Sequence, residues 1–180
     1  ITGYASGSNP NETFYGGAGN DKIYGGDGDD YIEGETGDDY LEGGYGNDVY
    51  RFNLGDGKDT IYDVNWGNNS DRLVLGEGIR EEDIIVKRTT YDLILEIRGT
   101  EDSITVKNFY NTSTGYRYQI EKVEFADGTE WGLNQLQNLT IVPFEGTDGD
   151  DILTGYTSGS NPNETFYGRA GNDTIYANNG

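Results

Sequence analysis

The first 75 residues of the chain repeat a nine-residue pattern of polar and hydrophobic positions. Six residues rich in Gly and Asp come first, and three residues follow of which the middle one, position 8, is apolar. Four copies run without a gap: GGAGNDKIY at 16–24, GGDGDDYIE at 25–33, GETGDDYLE at 34–42 and GGYGNDVYR at 43–51. Because Gly and Asp favour turns and short alternating stretches favour strands, each copy predicts a turn followed by a three-residue strand with one inward-facing side chain.

Weaker copies flank this block, and the pattern begins again late in the chain. They are GSNPNETFY at 7–15, LGDGKDTIY at 54–62, WGNNSDRLV at 66–74, GTDGDDILT at 146–154, GSNPNETFY at 159–167 and GRAGNDTIY at 168–176. Residues 1–24 recur at 153–176 with 20 of 24 positions identical, which is a period of 152 residues. This recurrence predicts a longer parent built from tandem copies, of which the chain holds one full module and the opening of the next. The position-8 side chains are expected to form the core: Ile23, Ile32, Leu41, Tyr50 and, in the second array, Ile175.

The residues between the two arrays follow a different pattern. Alternating stretches separated by turn residues occur as IIVKRT at 84–89, LILEIR at 93–98, SITVKNF at 103–109 and YQIEKVEF at 118–125. They predict an antiparallel β-layer, while residues 80–84 favour one helical turn and residues 133–139 a short helix. The expected fold is therefore all-β, with a parallel β-roll at 1–75, a β-rich capping domain at 76–143 and the start of the next roll at 144–180.

Composition and charge exclude several functions. The chain has 33 acidic and 12 basic residues, a net charge of −21, and no Cys, His or Met. It therefore offers no disulfide framework, no Cys/His zinc site, no thiol or imidazole catalyst and no basic face for nucleic acid. No apolar run approaches the ~18 residues of a membrane span. Acidic, Gly-rich chains are often disordered, but 15 Tyr, 6 Phe and 2 Trp favour a chain that folds once its charge is matched.

Stacking of the turns points to a cation. If two nine-residue copies form one coil, copy n lies above copy n+2 at ~4.8 Å, which places Asp30 over Asp48 and Asp21 over Asp39. Two ionised carboxylates at this distance repel by ~3 kcal/mol at an effective dielectric of 20. A divalent cation between them reverses the sign of this interaction. Carboxylate and turn carbonyl oxygens form the all-oxygen shell that suits Ca²⁺ better than Mg²⁺, zinc or copper.

The pattern GGxGxDxUx, as in GGAGNDKIY, resembles the calcium-binding nonapeptide of RTX, or haemolysin-type, β-rolls. In that family each ion lies between turns n and n+2, held by both position-6 aspartates, the carbonyls of positions 2 and 4 of the first turn and those of positions 1 and 3 of the second. The resemblance implies two such sites here. They join Gly26, Gly28 and Asp30 to Gly43, Tyr45 and Asp48, and Gly17, Gly19 and Asp21 to Gly34, Thr36 and Asp39.

The same resemblance implies four further sites. Ser8, Pro10 and Glu12 would meet Gly25, Asp27 and Asp30; Glu35, Gly37 and Asp39 would meet the turn ending in Asp59; Gly44, Gly46 and Asp48 would meet Asp71; and Thr147, Gly149 and Asp151 would face Gly168, Ala170 and Asp173. Glu12 and Glu164 depart from the motif, so weak, bidentate or absent binding all remain open at their turns. Three other aspartates, Asp63, Asp102 and Asp127, are expected to be turn or cap residues rather than ligands.

The middle segment carries a second resemblance. GEGIREEDIIVKR, LILEI, SITVKNF and QIEKVEFADGTEW are similar to the haemolysin-type calcium-binding-related domain that follows RTX arrays. The two resemblances imply a calcium-dependent structural module of a secreted bacterial protein, exported unfolded by a type I secretion channel and folding outside the cell, as a spacer in an adhesin-like parent.

Three alternatives to that interpretation concern carbohydrates, a toxin parent and catalysis. The module could be a carbohydrate-binding accessory domain, with Trp66 or Trp131 as stacking residues, or it could belong to a toxin or hydrolase whose active domain lies elsewhere. Adjacent carboxylates such as Asp29 and Asp30 invite a glycosidase interpretation. Many equivalent pairs favour repetitive metal binding instead, and no catalytic residue is predicted.

Overall fold

The computed structural model describes residues 1, 10–64, 69–111, 118–137, 144–154 and 166–177. Within them lie sixteen strands, a 3₁₀ turn at Glu81–Asp83 and the helix α1 at Leu133–Gln137. The strands are β1 Thr13–Ala18, β2 Lys22–Asp27, β3 Tyr31–Thr36, β4 Tyr40–Tyr45, β5 Val49–Phe52, β6 Lys58–Ile61, β7 Arg72–Leu75, β8 Ile84–Arg88, β9 Leu93–Ile97, β10 Ser103–Val106, β11 Lys122–Glu124, β12 Glu130–Gly132, β13 Phe144–Glu145, β14 Ile152–Thr154, β15 Phe166–Tyr167 and β16 Thr174–Tyr176. Three predicted positions, Ser8, Trp66 and Glu164, lie outside the described residues.

Successive strands of the first array alternate between two sheets, and within each sheet they pair in parallel. One sheet has the order β1-β3-β5-β7-β11-β12 and the other the order β2-β4-β6-β10-β9-β8. Ile23 pairs with Leu41, and Ile32 with Tyr50, so each strand lies beside the strand two copies later. The predicted parallel β-roll with an n to n+2 stack is therefore confirmed.

The core of the roll is the row of position-8 side chains between its two sheets. These residues are buried, while positions 7 and 9 beside them are partly or fully exposed because side chains alternate across a strand. The row consists of Ile23, Ile32, Leu41, Tyr50, Ile61 and Leu73, each at most 1% exposed. Each strand supplies little more than one buried side chain, so the roll gains limited hydrophobic stabilisation per coil.

The middle segment extends both sheets of the roll. β10 pairs in parallel with β6, and β11 pairs in parallel with β7. Antiparallel pairing follows further out, between β8, β9 and β10 and between β11 and β12. The expected antiparallel layer therefore includes two parallel junctions with the roll. The predicted helical turn and short helix are present, at Glu81–Asp83 and Leu133–Gln137.

Trp131 belongs to the core of this segment. The residue is 3% exposed, and its ring packs edge-on against Phe125 with centroids 4.9 Å apart. The indole N–H donates a 2.9 Å hydrogen bond to Glu81 Oε1. A side chain buried in this way cannot serve as a sugar-stacking platform.

The second array forms two small parallel pairs, β13 with β15 and β14 with β16. Ile175, predicted as core, is 45% exposed, so that prediction was wrong. The described part of this array has only two strands in each sheet, and the inward face of β16 therefore has little to pack against.

Close stacking of the turns explains one of the glycines. Gly46 has φ of +140°, and a Cβ there would collide with the carbonyl group of Gly28 in the coil below, 2.5 Å from its carbon. Gly19 also has a positive φ, +106°, but a Cβ there meets nothing within 4 Å. Both substitutions by Ala carry the ~1–2 kcal/mol cost of the left-handed conformation, and only the first adds a clash.

We therefore expect Gly46→Ala to lower the thermal midpoint of the calcium-loaded chain further than Gly19→Ala, by the ~1–3 kcal/mol typical of overpacking. Thermal melts followed by circular dichroism at saturating Ca²⁺ measure the difference. Equal shifts for the two variants would mean that the turns are not stacked this closely.

Candidate metal sites

The position-6 carboxylates form two hydrogen-bonded ladders, one along each edge of the roll. In each step the backbone N–H of one turn donates to the Oδ1 atom of the aspartate two copies later. On one edge Asp30 donates to Asp48 at 2.8 Å, and Asp48 to Asp71 at 2.7 Å. On the other edge Asp21 donates to Asp39 at 2.7 Å, and Asp39 to Asp59 at 3.1 Å. The aspartates predicted to share cations are thus brought together in pairs.

In four of these carboxylates the second oxygen accepts no hydrogen bond from the described residues. Asp30, Asp39, Asp48 and Asp59 are each at most 2% exposed, and their Oδ2 atoms are buried without a hydrogen bond from any described residue. A buried anionic oxygen left unpaired is costly. These atoms fit the requirement of a hard cation for oxygen ligands.

Turn carbonyls converge on the same places. A Cβ added to Gly25 would collide with Asp30 Oδ2 and would lie 2.5 Å from the carbonyl oxygen of Gly43 in the next coil. On the other edge, a Cβ at Gly16 would lie 2.5 Å from the Gly34 carbonyl oxygen and 3.1 Å from Asp21 Oδ2. The carboxylate of one turn and the position-1 carbonyl of the turn above it therefore point into a shared space, which only glycine leaves open.

The position-3 carbonyls, also predicted as ligands, each accept one backbone hydrogen bond. Gly19 N–H donates to the Thr36 carbonyl at 2.8 Å, Gly28 N–H to the Tyr45 carbonyl at 2.7 Å, and Gly37 N–H to the Asp56 carbonyl at 2.7 Å. A carbonyl oxygen has two lone pairs, so these atoms keep one acceptor site each.

Burial disfavours the charge on these carboxylates. It raises the pKa of Asp48 and of Asp59 to about 8, against an opposing hydrogen bond from the neighbouring turn and with smaller contributions from adjacent carboxylates. The pKa values of Asp30 and Asp39 are raised for the same reason. A bound dication would stabilise the ionised form and so offset both the desolvation and the repulsion.

Asp63 is placed differently from the prediction that it is a turn or cap residue. It is 0% exposed, and one carboxylate oxygen from each of Asp48, Asp63 and Asp71 lies within 4.8 Å of the other two. Tyr50 donates its hydroxyl to Asp63 Oδ2 at 3.0 Å and accepts the Gly43 N–H at 2.6 Å. The sequence held one indication of this. In the regular array the residue that follows position 9 of one copy is the position-1 Gly of the next, whereas the residue that follows Tyr62 is Asp63.

Asp102 and Asp127, predicted as turn or cap residues, both accept backbone hydrogen bonds at turns. Asp102 Oδ2 accepts the Gly55 N–H at 2.8 Å, and Asp127 Oδ1 accepts the Thr129 N–H at 2.9 Å. The Asp127 bond lies within one turn, whereas the Asp102 bond joins two turns that are 47 residues apart in the sequence. Neither carboxylate lies in one of the two ladders.

The two ladders end differently on the side of the middle segment. On the first edge Asp71 N–H donates to Glu121 Oε2 at 2.8 Å, so a glutamate follows the last aspartate. On the second edge Ile104 pairs beside Asp59 and is completely buried. An apolar side chain at this position provides no further ligand.

The remaining predicted pairs are partly described. Glu12 N–H donates to Asp30 Oδ1 at 2.8 Å, and a Cβ at Gly28 would collide with the Pro10 carbonyl, which places this turn in the same stack. In the second array Asp151 N–H donates to Asp173 Oδ1 at 3.0 Å. Asp151 Oδ2 accepts the Thr147 N–H at 2.6 Å, and both aspartates are half-buried. This last pair is therefore less desolvated than those of the first array.

A further series of hydrogen bonds, between position-5 side chains and the backbone of neighbouring coils, was not anticipated from the sequence. Asn11 Oδ1 accepts the Asp29 N–H at 3.0 Å, Asp29 Oδ1 accepts the Asn47 N–H at 2.8 Å, and on the opposite edge Asn20 Oδ1 accepts the Asp38 N–H at 3.1 Å. Its donors point in the opposite direction along the stack from those at position 6. The signal was the restriction of position 5 to Asn or Asp in the four contiguous copies.

Comparisons with known proteins also point to calcium-binding repeats. The family model of the RTX calcium-binding nonapeptide repeat matches residues 6–41, 26–61 and 158–180, and the model of the haemolysin-type calcium binding protein related domain matches residues 92–135. The iron-regulated protein FrpA of Neisseria meningitidis serogroup C is 30% identical over 116 residues, which are 64% of this chain and 10% of that protein. Exotoxin PaxA of Pasteurella aerogenes is 35% identical over 119 residues, 64% of this chain and 11% of that protein.

The chain spans about a tenth of the length of these two relatives. Among the described residues, no helix is long and apolar enough to cross a membrane.

Proposed function

Because the chain carries RTX calcium-binding nonapeptide repeats and a haemolysin-type calcium-binding-protein-related domain, we propose that it is a module whose folding is driven by calcium ions bound between successive coils. The observation that carries this proposal is the row of buried Oδ2 atoms that accept no hydrogen bond from the described residues. Since each ion contacts two turns that are apart in the unfolded chain, binding and folding share one free energy.

The proposed ligands are the stacked position-6 side chains, each pair supplemented by the turn carbonyls predicted for it. The pairs are Glu12 with Asp30, Asp30 with Asp48, Asp48 with Asp71, Asp21 with Asp39, Asp39 with Asp59, and Asp151 with Asp173. In these sites the ion would supply positive charge, and the folded turns would supply the oxygen ligands. Asp30, Asp39 and Asp48 each serve two sites.

The proposal extends to the parent protein. Residues 1–75 form the roll, residues 76–143 close it, and residues 144–180 begin the next roll, so the 152-residue recurrence gives a repeating, calcium-stiffened spacer. Extracellular modules bind Ca²⁺ at ~10⁻⁴ to 10⁻³ M, far above cytosolic levels. Such a chain would stay unfolded in the cytosol, pass through a type I secretion channel and fold outside the cell.

Native mass spectrometry tests the binding directly. We expect several calcium ions per chain at millimolar Ca²⁺ and a charge-state distribution that becomes compact as the ions bind. Mg²⁺ at the same concentration should give little of either, because it retains its waters and demands octahedral geometry. A chain that bound no calcium, or that bound it without becoming compact, would contradict the proposed function.

A further inference from the structure

The strongest candidate outside the regular ladder is the cluster of Asp48, Asp63 and Asp71. All three side chains are completely buried, and one oxygen of each lies within 4.8 Å of the other two. Neither Asp48 nor Asp63 forms an ion pair with a Lys or Arg of the described residues. Three buried carboxylates at this distance need a positive charge or shared protons.

The hydrogen bonds around the cluster favour a cation. Asp63 Oδ2 accepts the Tyr50 hydroxyl, and Asp48 Oδ1 accepts the Asp30 N–H. The other oxygen of each, Asp63 Oδ1 and Asp48 Oδ2, is buried and accepts no hydrogen bond within the described part of the chain. Protein donors thus occupy one oxygen of each carboxylate and orient it, and the second oxygen is left for a ligand.

We propose that Asp63 is the third carboxylate ligand of a calcium site shared with Asp48 and Asp71, an inference that rests on the calcium-dependent folding proposed above. At the regular turns position 1 is a glycine, such as Gly25 or Gly43, that offers only its carbonyl. Here an aspartate stands at that position and adds a full negative charge.

The extra carboxylate sets this site apart from the others. Calcium affinity rises with the number of charged ligands, so this site fills at a lower Ca²⁺ concentration than the two-carboxylate sites of the roll. Its place also matters, because the Asp71 carbonyl accepts the N–H groups of Glu121 and Lys122, the latter at the start of β11. The ion therefore joins the turn at 43–48 to the junction between the roll and the middle segment.

Asp63→Asn tests this assignment, since the amide oxygen can still accept the Tyr50 hydroxyl. Native mass spectrometry should show one calcium ion fewer per chain than the wild type at saturating Ca²⁺. The first ion to bind should also appear at a higher Ca²⁺ concentration. Asp127→Asn, in an exposed turn, is the matched control and should leave both the count and the order of filling unchanged.

The opposite result would overturn the proposal. If Asp63 is simply a protonated acid bonded to Tyr50, then Asp63→Asn keeps the full ion count and folds at less Ca²⁺. A wild type that binds no calcium would refute the proposed function instead, so the two failures are distinguishable.

If Asp63→Asn does not fold, a second measurement can still test whether an ion lies beside Asp63. The chain is loaded with Tb³⁺, and the ion's emission is excited through tyrosine in the wild type and in Tyr50→Phe. Loss of part of the emission in Tyr50→Phe, with the ion count retained, supports an ion beside Asp63. Unchanged emission argues against one.

Discussion

In excess chelator the far-ultraviolet circular dichroism spectrum of this chain should lose most of its β-sheet signal, and the signal should return cooperatively as Ca²⁺ approaches millimolar concentrations. Four pairs of stacked aspartates are in direct hydrogen-bond contact in the first array. At ~3 kcal/mol per ionised pair, their repulsion sums to about 12 kcal/mol. That is comparable with the whole ~5–15 kcal/mol stability of a typical domain, and the one or two buried apolar side chains of each strand offer little to offset it.

The titration is best run at mildly alkaline pH. Burial raises the pKa of Asp48 and Asp59 to about 8, so the folded metal-free chain holds protons there that the unfolded chain releases. Protons therefore stabilise the metal-free roll as the pH falls below that value, and they would mask the effect of the ion. Mg²⁺ serves as the control. A roll that stays fully folded in chelator at this pH would show that calcium is not required.

The second large effect is expected for Asp39→Asn compared with Asp38→Asn. The two residues are neighbours in one turn, each loses one charge, and in both the new amide oxygen can keep the existing hydrogen bond, from Asp21 N–H or from Lys58 N–H. They differ in that Asp39 Oδ2 is buried and unpaired among the described residues, whereas the Asp38 side chain lies at an exposed position.

Because Asp39 would serve two sites, its replacement should raise the Ca²⁺ midpoint of folding by tenfold or more, since about 1.4 kcal/mol already corresponds to a factor of ten. Asp38→Asn should shift the midpoint only slightly. Circular dichroism against Ca²⁺ concentration measures both. If Asp39 binds no ion, its replacement removes a desolvated charge and lowers the midpoint instead, so the sign of the shift decides.

The roll could be predicted from the sequence because the residues that specify it lie close together and recur every nine positions. A nine-residue copy with Asp at position 6 and an apolar side chain at position 8 determines the turn, the strand and the partner two copies later, as the pairing of Ile23 with Leu41 shows. The stacking of Asp30 with Asp48 follows from the same period without any knowledge of distant contacts.

Non-local contacts account for what the sequence did not predict. The parallel pairing of β10 with β6 joins segments more than forty residues apart, and no periodicity links them. Asp63 seemed a turn residue because only the fold brings it beside Asp48 and Asp71. Ile175 follows the core pattern but is exposed, since burial depends on how many coils cover a strand rather than on the strand itself.

The opposed hydrogen bonds at positions 5 and 6 have a consequence for long arrays. At position 6 the lower coil donates to the upper one, as from Asp30 to Asp48, and at position 5 the upper coil donates to the lower one, as from Asn47 to Asp29. The dipoles of these two bonds largely cancel along the axis, unlike the aligned peptide dipoles of an α-helix. Adding coils therefore builds up little electrical polarisation from these edge bonds, and the ends of a long roll differ little in this respect from those of a short one.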